Sequence, residues 1–237
     1  MKTEAGERYA LYGAAIYVVG VVQFFMGIFV TASRYGPPSY SPLVDTISDL
    51  QAVNCGIFQG IEVCSPLHVI ANSSVAVLGL SLVLGSLLIR PAFPASGRRS
   101  AAIGLLVAAG MATLANAFTP EDVTLMGDVI TALVAFLGAN FGLIQIGRVM
   151  SEDSVWGYFR FFTTALGIVG LAGLILDGAG LAGPLGTGGN EWLIVAPILV
   201  WAFVVGILLL GPKRPLRPAP REETDRRQPV WREVSRA

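Results

Sequence analysis

The sequence predicts an all-α, polytopic membrane protein: a six-helix transmembrane bundle with both termini cytoplasmic. Three observations carry this. The 237 residues are 54% hydrophobic and only 14% charged, where a soluble domain carries about 25% charge, and the mean hydropathy is +0.66. Six stretches approach the roughly 20 apolar residues that a hydrocarbon core about 30 Å thick requires. The cations sort by side: with both termini inside, 15 of the 16 basic residues are cytoplasmic and only Arg34 lies outside, as the positive-inside rule demands. The same composition argues against a water-soluble globule, a disordered chain, a disulfide scaffold and a basic nucleic-acid binder.

The first span, 9–32, exceeds a signal h-region, and Glu4 and Glu7 stand beside Lys2 and Arg8 before it; an uncleaved helix is expected. It carries Gly20, Gln23 and Gly27. The outer loop 33–66 follows. There Val44, Ile47, Leu50 and Val53 recur at helical spacing, which predicts a short amphipathic helix lying against the bundle. Cys55 and Cys64 fall in the same loop. A disulfide is expected, contributing about 2–3 kcal/mol locally; a redox pair is usually spaced as Cys-x-x-Cys.

The second span, 67–89, places His68, Asn72, Gly79 and Ser86 on one face. In the third, 100–118, Ala102, Ala109 and Ala112 lead to Asn116. A short acidic loop, 119–125, precedes the fourth span, 126–147, where Asp128, Thr131, Ala135, Gly138, Gly142 and Gln145 step by three and four. The fifth, 161–178, aligns Thr163, Gly170, Gly173 and Asp177, and six glycines lie between Gly167 and Gly183. Polar groups facing lipid cost several kcal/mol, so these stripes are expected to face inward. The glycine-rich outer loop 179–191 is expected to be mobile. The sixth span, 192–210, has no polar side chain deeper than Glu191 and is expected to face lipid, bent at Pro197. A transmembrane unit, 1–211, thus precedes a basic, proline-rich tail, 212–237, expected to be a solvated cytoplasmic topology anchor.

Absences narrow the chemistry. The only lysines are Lys2 and Lys213, outside every span, which excludes a retinal Schiff base; His68 is the only histidine, which excludes bis-histidine haem and a multi-histidine zinc site. No Walker-type phosphate loop occurs. No metal and no cofactor are expected.

His68, Asn72, Asn116, Asp128 and Asp177 all sit within two turns of the outer surface, and the outer loops add Asp45, Ser48, Asp49, Glu121 and Asp122. Each residue alone has a structural role open to it. Asp128 and Glu191 fall in first helical turns, where a carboxylate favours the positive end of the helix dipole. Together they predict an outward-opening polar pocket, because ionisable groups inside a membrane are costly. The leading expectation is a binding protein of the plasma membrane whose Asp49, His68, Asn72, Asn116, Asp128 and Asp177 receive a lipid head group or small amphipathic ligand. The alternative is an outer-leaflet enzyme of acyl transfer or lipid hydrolysis, with His68 as general base, Ser48 or Ser73 as nucleophile and an acid such as Asp128 orienting the base. Third comes an ion- or proton-coupled carrier using Asp128 and Asp177, against which only Gln23 and Asn140 are strongly polar near mid-membrane. Expected partners are membrane lipids, not nucleic acid, with homo- or hetero-oligomers through small-residue helix faces.

The stretch Tyr40–Leu50, with its core Ile47-Ser-Asp-Leu50, resembles the prokaryotic six-span membrane family catalogued as domain of unknown function 998. Asn72-Ser-Ser and Phe118-Thr-Pro-Glu-Asp122 are similar to two further stretches of that family. The resemblance spans roughly 9–210 and implies fold and topology rather than an activity. One departure stands out: where the family often has a histidine near the start of the fourth span, this chain has Gly127-Asp128.

Overall fold

A computed structural model describes residues 4–58, 60–150, 157–181, 183 and 185–211; the expected tail, 212–237, lies outside them. Six helices are long and apolar enough to cross a membrane: α1 (Glu4–Ala32), α3 (His68–Ile89), α4 (Gly97–Asn116), α5 (Glu121–Val149), α6 (Gly157–Gly178) and α7 (Gly186–Leu210). Between α1 and α3 lie a five-residue helix, α2 (Ile47–Gln51), and a two-stranded antiparallel hairpin, β1 (Gly56–Phe58) and β2 (Ile61–Val63).

The six long helices form a closed ring. Each packs on its neighbour in sequence, and α7 returns to pack on α1. Small residues allow the close approaches that dispersion-driven association in lipid requires. On the α1–α3 seam, Gly20 and Gly27 meet Ser81 and Ser74, while Gly85 meets the ring of Tyr17. On the α3–α4 seam, a Cβ at Gly79 would run into the backbone of Leu114. Further round, Gly138 rests on α4, Gly167 and Gly170 on Asn140, and Gly206 on the Ala14 carbonyl. Many of the small residues thus serve the chain's own seams, while Gly104 faces open space.

Most of the inward stripes are observed: Ala102, Ala109, Asn116, Asp128, Ala135 and Thr163 are buried, as are Gly20, Gly79, Gly142 and Gly173, whereas Asp177 at the end of its stripe is exposed. Two expectations fail. The sixth span is not a lipid-facing helix. Trp201, Ala202 and Val205 on α7 are fully buried, and Tyr17 packs edge-on against Trp201 at 5.8 Å. Lipid and bundle interior are equally apolar, so a span without polar groups fits either place. Residues 186–191 do not form a mobile loop but the first turn and more of α7.

Candidate functional site

The site forms at the end of the ring where α1 stops and α3, α5 and α7 begin. Its centre is α2, which does not lie on the bundle surface. Ile47, Asp49, Leu50 and Gln51 are buried, while Val44 and Val53, the outer members of the apolar spacing, are exposed. Only the middle of the amphipathic pattern enters the ring.

So short a helix cannot stabilise itself, and nearly every end group of α2 finds a partner. Thr46 and Asp49 form a capping box: the Thr46 hydroxyl accepts from the Asp49 amide at 3.0 Å, and the Asp49 carboxylate accepts from the Thr46 amide at 2.6 Å. The next amide, that of Ile47, donates to Glu191 Oε2 on α7 at 2.6 Å. At the other end, Asp122 of α5 accepts from the amides of Val53 and Asn54 at 3.0 and 2.8 Å. The Leu50 carbonyl accepts from the Ser65 hydroxyl at 2.7 Å. Gln51 and Asn72 pair reciprocally, each side-chain amide donating at 3.0 Å, Gln51 to the Asn72 side chain and Asn72 to the Gln51 carbonyl.

The approach to α2 is fixed as tightly. The Pro42–Asp45 segment runs against the first turn of α7, where the Gly189 amide donates to the Leu43 carbonyl at 3.2 Å and the Thr187 hydroxyl donates to the Val44 carbonyl. Gly186, at φ +71°, and Gly188 leave no room for a Cβ against the Leu43 and Asp45 carbonyls. This contact holds residues 186–189 against the approach to α2. Beyond α2 in the chain, the Cys55–Cys64 disulfide closes the hairpin. Burial pushes the Tyr35 and Tyr40 phenols up, and the nearby carboxylates add to the shift.

Beneath α2 the ring encloses a cavity of about 70 Å³. Ser48, Gln51, Thr113, Asn116 and Glu191 line it towards the α2 end; the remaining lining side chains, among them Leu78, Ala135 and Ile198, are apolar. Asp128 stands behind that polar edge. Asn116 Nδ2 donates to its Oδ1 at 2.8 Å, and the Ser48 hydroxyl approaches both of its oxygens at 3.4 Å, long for such a bond. Asp49, Glu121, Asp128 and Glu191 lie close enough to influence one another electrostatically.

Of the residues singled out in the sequence, Ser48, Asp49, Asn116 and Asp128 therefore meet, and Asn72 joins through Gln51. Asp177 is exposed and tied to the cluster's edge, accepting from Asn190 at 3.1 Å. His68 stands apart: its Nδ1 lies 3.0 Å from the Ser65 carbonyl, and among the described residues no hydrogen bond joins it to Ser48 or Asp128. Sequence reasoning placed Glu121 at the pocket through its outer loop but passed over Glu191 and Gln51 as site members. The signal for Glu191 was its depth, equal to that of Asp128; for Gln51 it was the helical i, i+3 spacing from Ser48. Among the described residues no group of three or more His, Cys, Asp or Glu side chains is arranged to hold a metal ion.

Comparison with curated proteins finds no match, and comparison with solved structures finds none either. The family model described as protein of unknown function (DUF998) matches residues 18–208, a range that runs from α1 to the last turn of α7 and contains every residue of the α2 site. The chain belongs to the DUF998 family, and its own six long apolar helices mark it as a multi-pass membrane protein.

Proposed function

We propose that the protein binds a small amphipathic molecule in the cavity beneath α2, with the ligand's polar end at Ser48, Gln51, Asn116 and Glu191 and its apolar end among the side chains of the ring. The single observation that supports this most is the polarity gradient of the cavity wall: hydrogen-bonding groups gather at the α2 end, and only apolar groups lie deeper. Ligand sites combine apolar walls with a few convergent polar groups in this way.

Magnitude narrows the ligand. A cavity of about 70 Å³ is roughly half the 150 Å³ engineered cavity that holds benzene. A short alkyl segment fits, whereas a whole lipid head group does not. A small amphipathic molecule is favoured over the lipid head group that was an equal expectation from sequence. In the plasma membrane with cytoplasmic termini, α2 and its cavity would face outward. The enzymatic alternative has less support, because Ser48 has a carboxylate beside it but no imidazole to take its proton.

Native mass spectrometry of the detergent-purified protein tests the proposal. A co-purifying small molecule is expected with the wild type, and it should be lost from Ala135→Leu, which fills the cavity. Equal retention by both proteins refutes the assignment of the cavity.

A further inference from the structure

The pocket has a sign of charge that its shape does not reveal. Glu191 is the one ionisable residue in the cavity wall, and its Oε2 already accepts from the Ile47 amide. Asp128 stands behind Ser48 and Asn116, and Asp49 and Glu121 lie within electrostatic range. No counter-charge accompanies them. Among the described residues the arginines are Arg8, Arg34, Arg90, Arg98, Arg99, Arg148 and Arg160, there is no lysine, and His68 at this end of α3 has its Nδ1 against the Ser65 carbonyl. Arg34 is exposed, and the other six sit at or near the opposite ends of their helices.

A buried polar group beside this cluster is also unsatisfied. The Tyr35 side chain is only 9% exposed, and its hydroxyl has no hydrogen-bond partner. The Asp49, Asp45 and Glu121 carboxyls are its charged neighbours, and the nearby Cys64 amide lies outside hydrogen-bond geometry. Like charges gathered without a partner disfavour one another, and a single cation relieves several such pairs at once. An anionic head group would add to the repulsion instead.

Building on the cavity as a ligand pocket, we propose that its ligand is a cationic amphiphile: an alkylammonium whose N–H groups bond to the Glu191 carboxylate beside Ser48 and Gln51, with its short chain lying towards Leu78, Ala135 and Ile198. An ammonium offers three donors and no acceptor, matching a wall whose charged member is an acceptor. The charged hydrogen bond to Glu191 is the strong one.

Three probes of nearly equal size separate charge from shape: butylammonium, butan-1-ol and butyrate, titrated against the full-length protein in detergent and read by thermal stabilisation. Butylammonium should bind at least tenfold more tightly than butan-1-ol, with butyrate weakest. Glu191→Gln, which keeps an acceptor for the Ile47 amide, should weaken butylammonium at least tenfold and leave butan-1-ol within twofold. Ala135→Leu should weaken both by filling the space. Butan-1-ol or butyrate binding as tightly as butylammonium overturns the charge assignment and leaves the pocket standing, as does unchanged butylammonium affinity in Glu191→Gln. Binding by none of the three probes overturns the pocket as well. The wild-type ranking decides the matter even if Glu191→Gln does not fold.

Discussion

The ring of long helices and the short α2 that covers one end are stabilised by different physics. Ring seams join helices adjacent in the chain, plus the one closure of α7 onto α1, and they rest on glycine, alanine and serine contacts. The cover rests on directional hydrogen bonds that its backbone amides donate to carboxylates on α5 and α7, far away in sequence. In lipid, close packing needs only small residues. A short irregular segment at the same depth must have its backbone groups satisfied one by one. Polar side chains are spent where the backbone cannot provide for itself.

Substitutions that fill space in each region should separate the two. Gly79→Leu drives a side chain into the backbone of α4 and should cost about 3 kcal/mol, the upper part of the overpacking range, with loss of the monodisperse species in size-exclusion chromatography. A stable, monodisperse Gly79→Leu protein would break the account of the ring. Gly188→Leu meets the carbonyls of Pro42 and Asp45 instead. It should cost about 2 kcal/mol, and hydrogen–deuterium exchange should rise across 40–54 while α3 and α4 keep their protection.

Asp128→Ala removes the acceptor for Asn116 and Ser48 and should lower stability by about 2 kcal/mol, measured by thermal unfolding in detergent, with Asp128→Asn intermediate. Replacing Cys55 and Cys64 together by serine should cost about 2 kcal/mol, with the exchange increase confined to 52–66; an increase spreading through the ring would show the hairpin to be more than local. His68→Ala should change stability by no more than about 0.5 kcal/mol. A larger loss would return the histidine to the site.

The long helices were legible because twenty apolar residues have few other uses, and the inward stripes because polar or small residues at steps of three and four must face a neighbour. The cover was only half legible. Its spacing announced a helix around Ile47 and Leu50, but its burial depends on Glu191, Asp122 and Asn72, which no local pattern connects to it. Glu191 and Asp128 looked like dipole-compensating carboxylates of first helical turns, but α7 and α5 begin earlier and place them in the second and third turns; the use of Glu191 there is to hold the Ile47 amide. The buried face of α7 was illegible for a different reason: an apolar helix carries no mark that distinguishes lipid from bundle interior. Asp128 and Asn116 were found because each is a polar side chain near a span end on a stripe of small residues, although nothing in the sequence paired them.

The partners of α2 also impose an order on biosynthesis. The ribosome makes Ile47 144 residues before the Glu191 that holds its amide and Ser48 80 residues before Asp128. Four spans must be synthesised after α2 before its last acceptor exists. The cover therefore cannot settle before α7 begins, and a nascent chain halted before α7 would present α2 with that amide still facing solvent or chaperone.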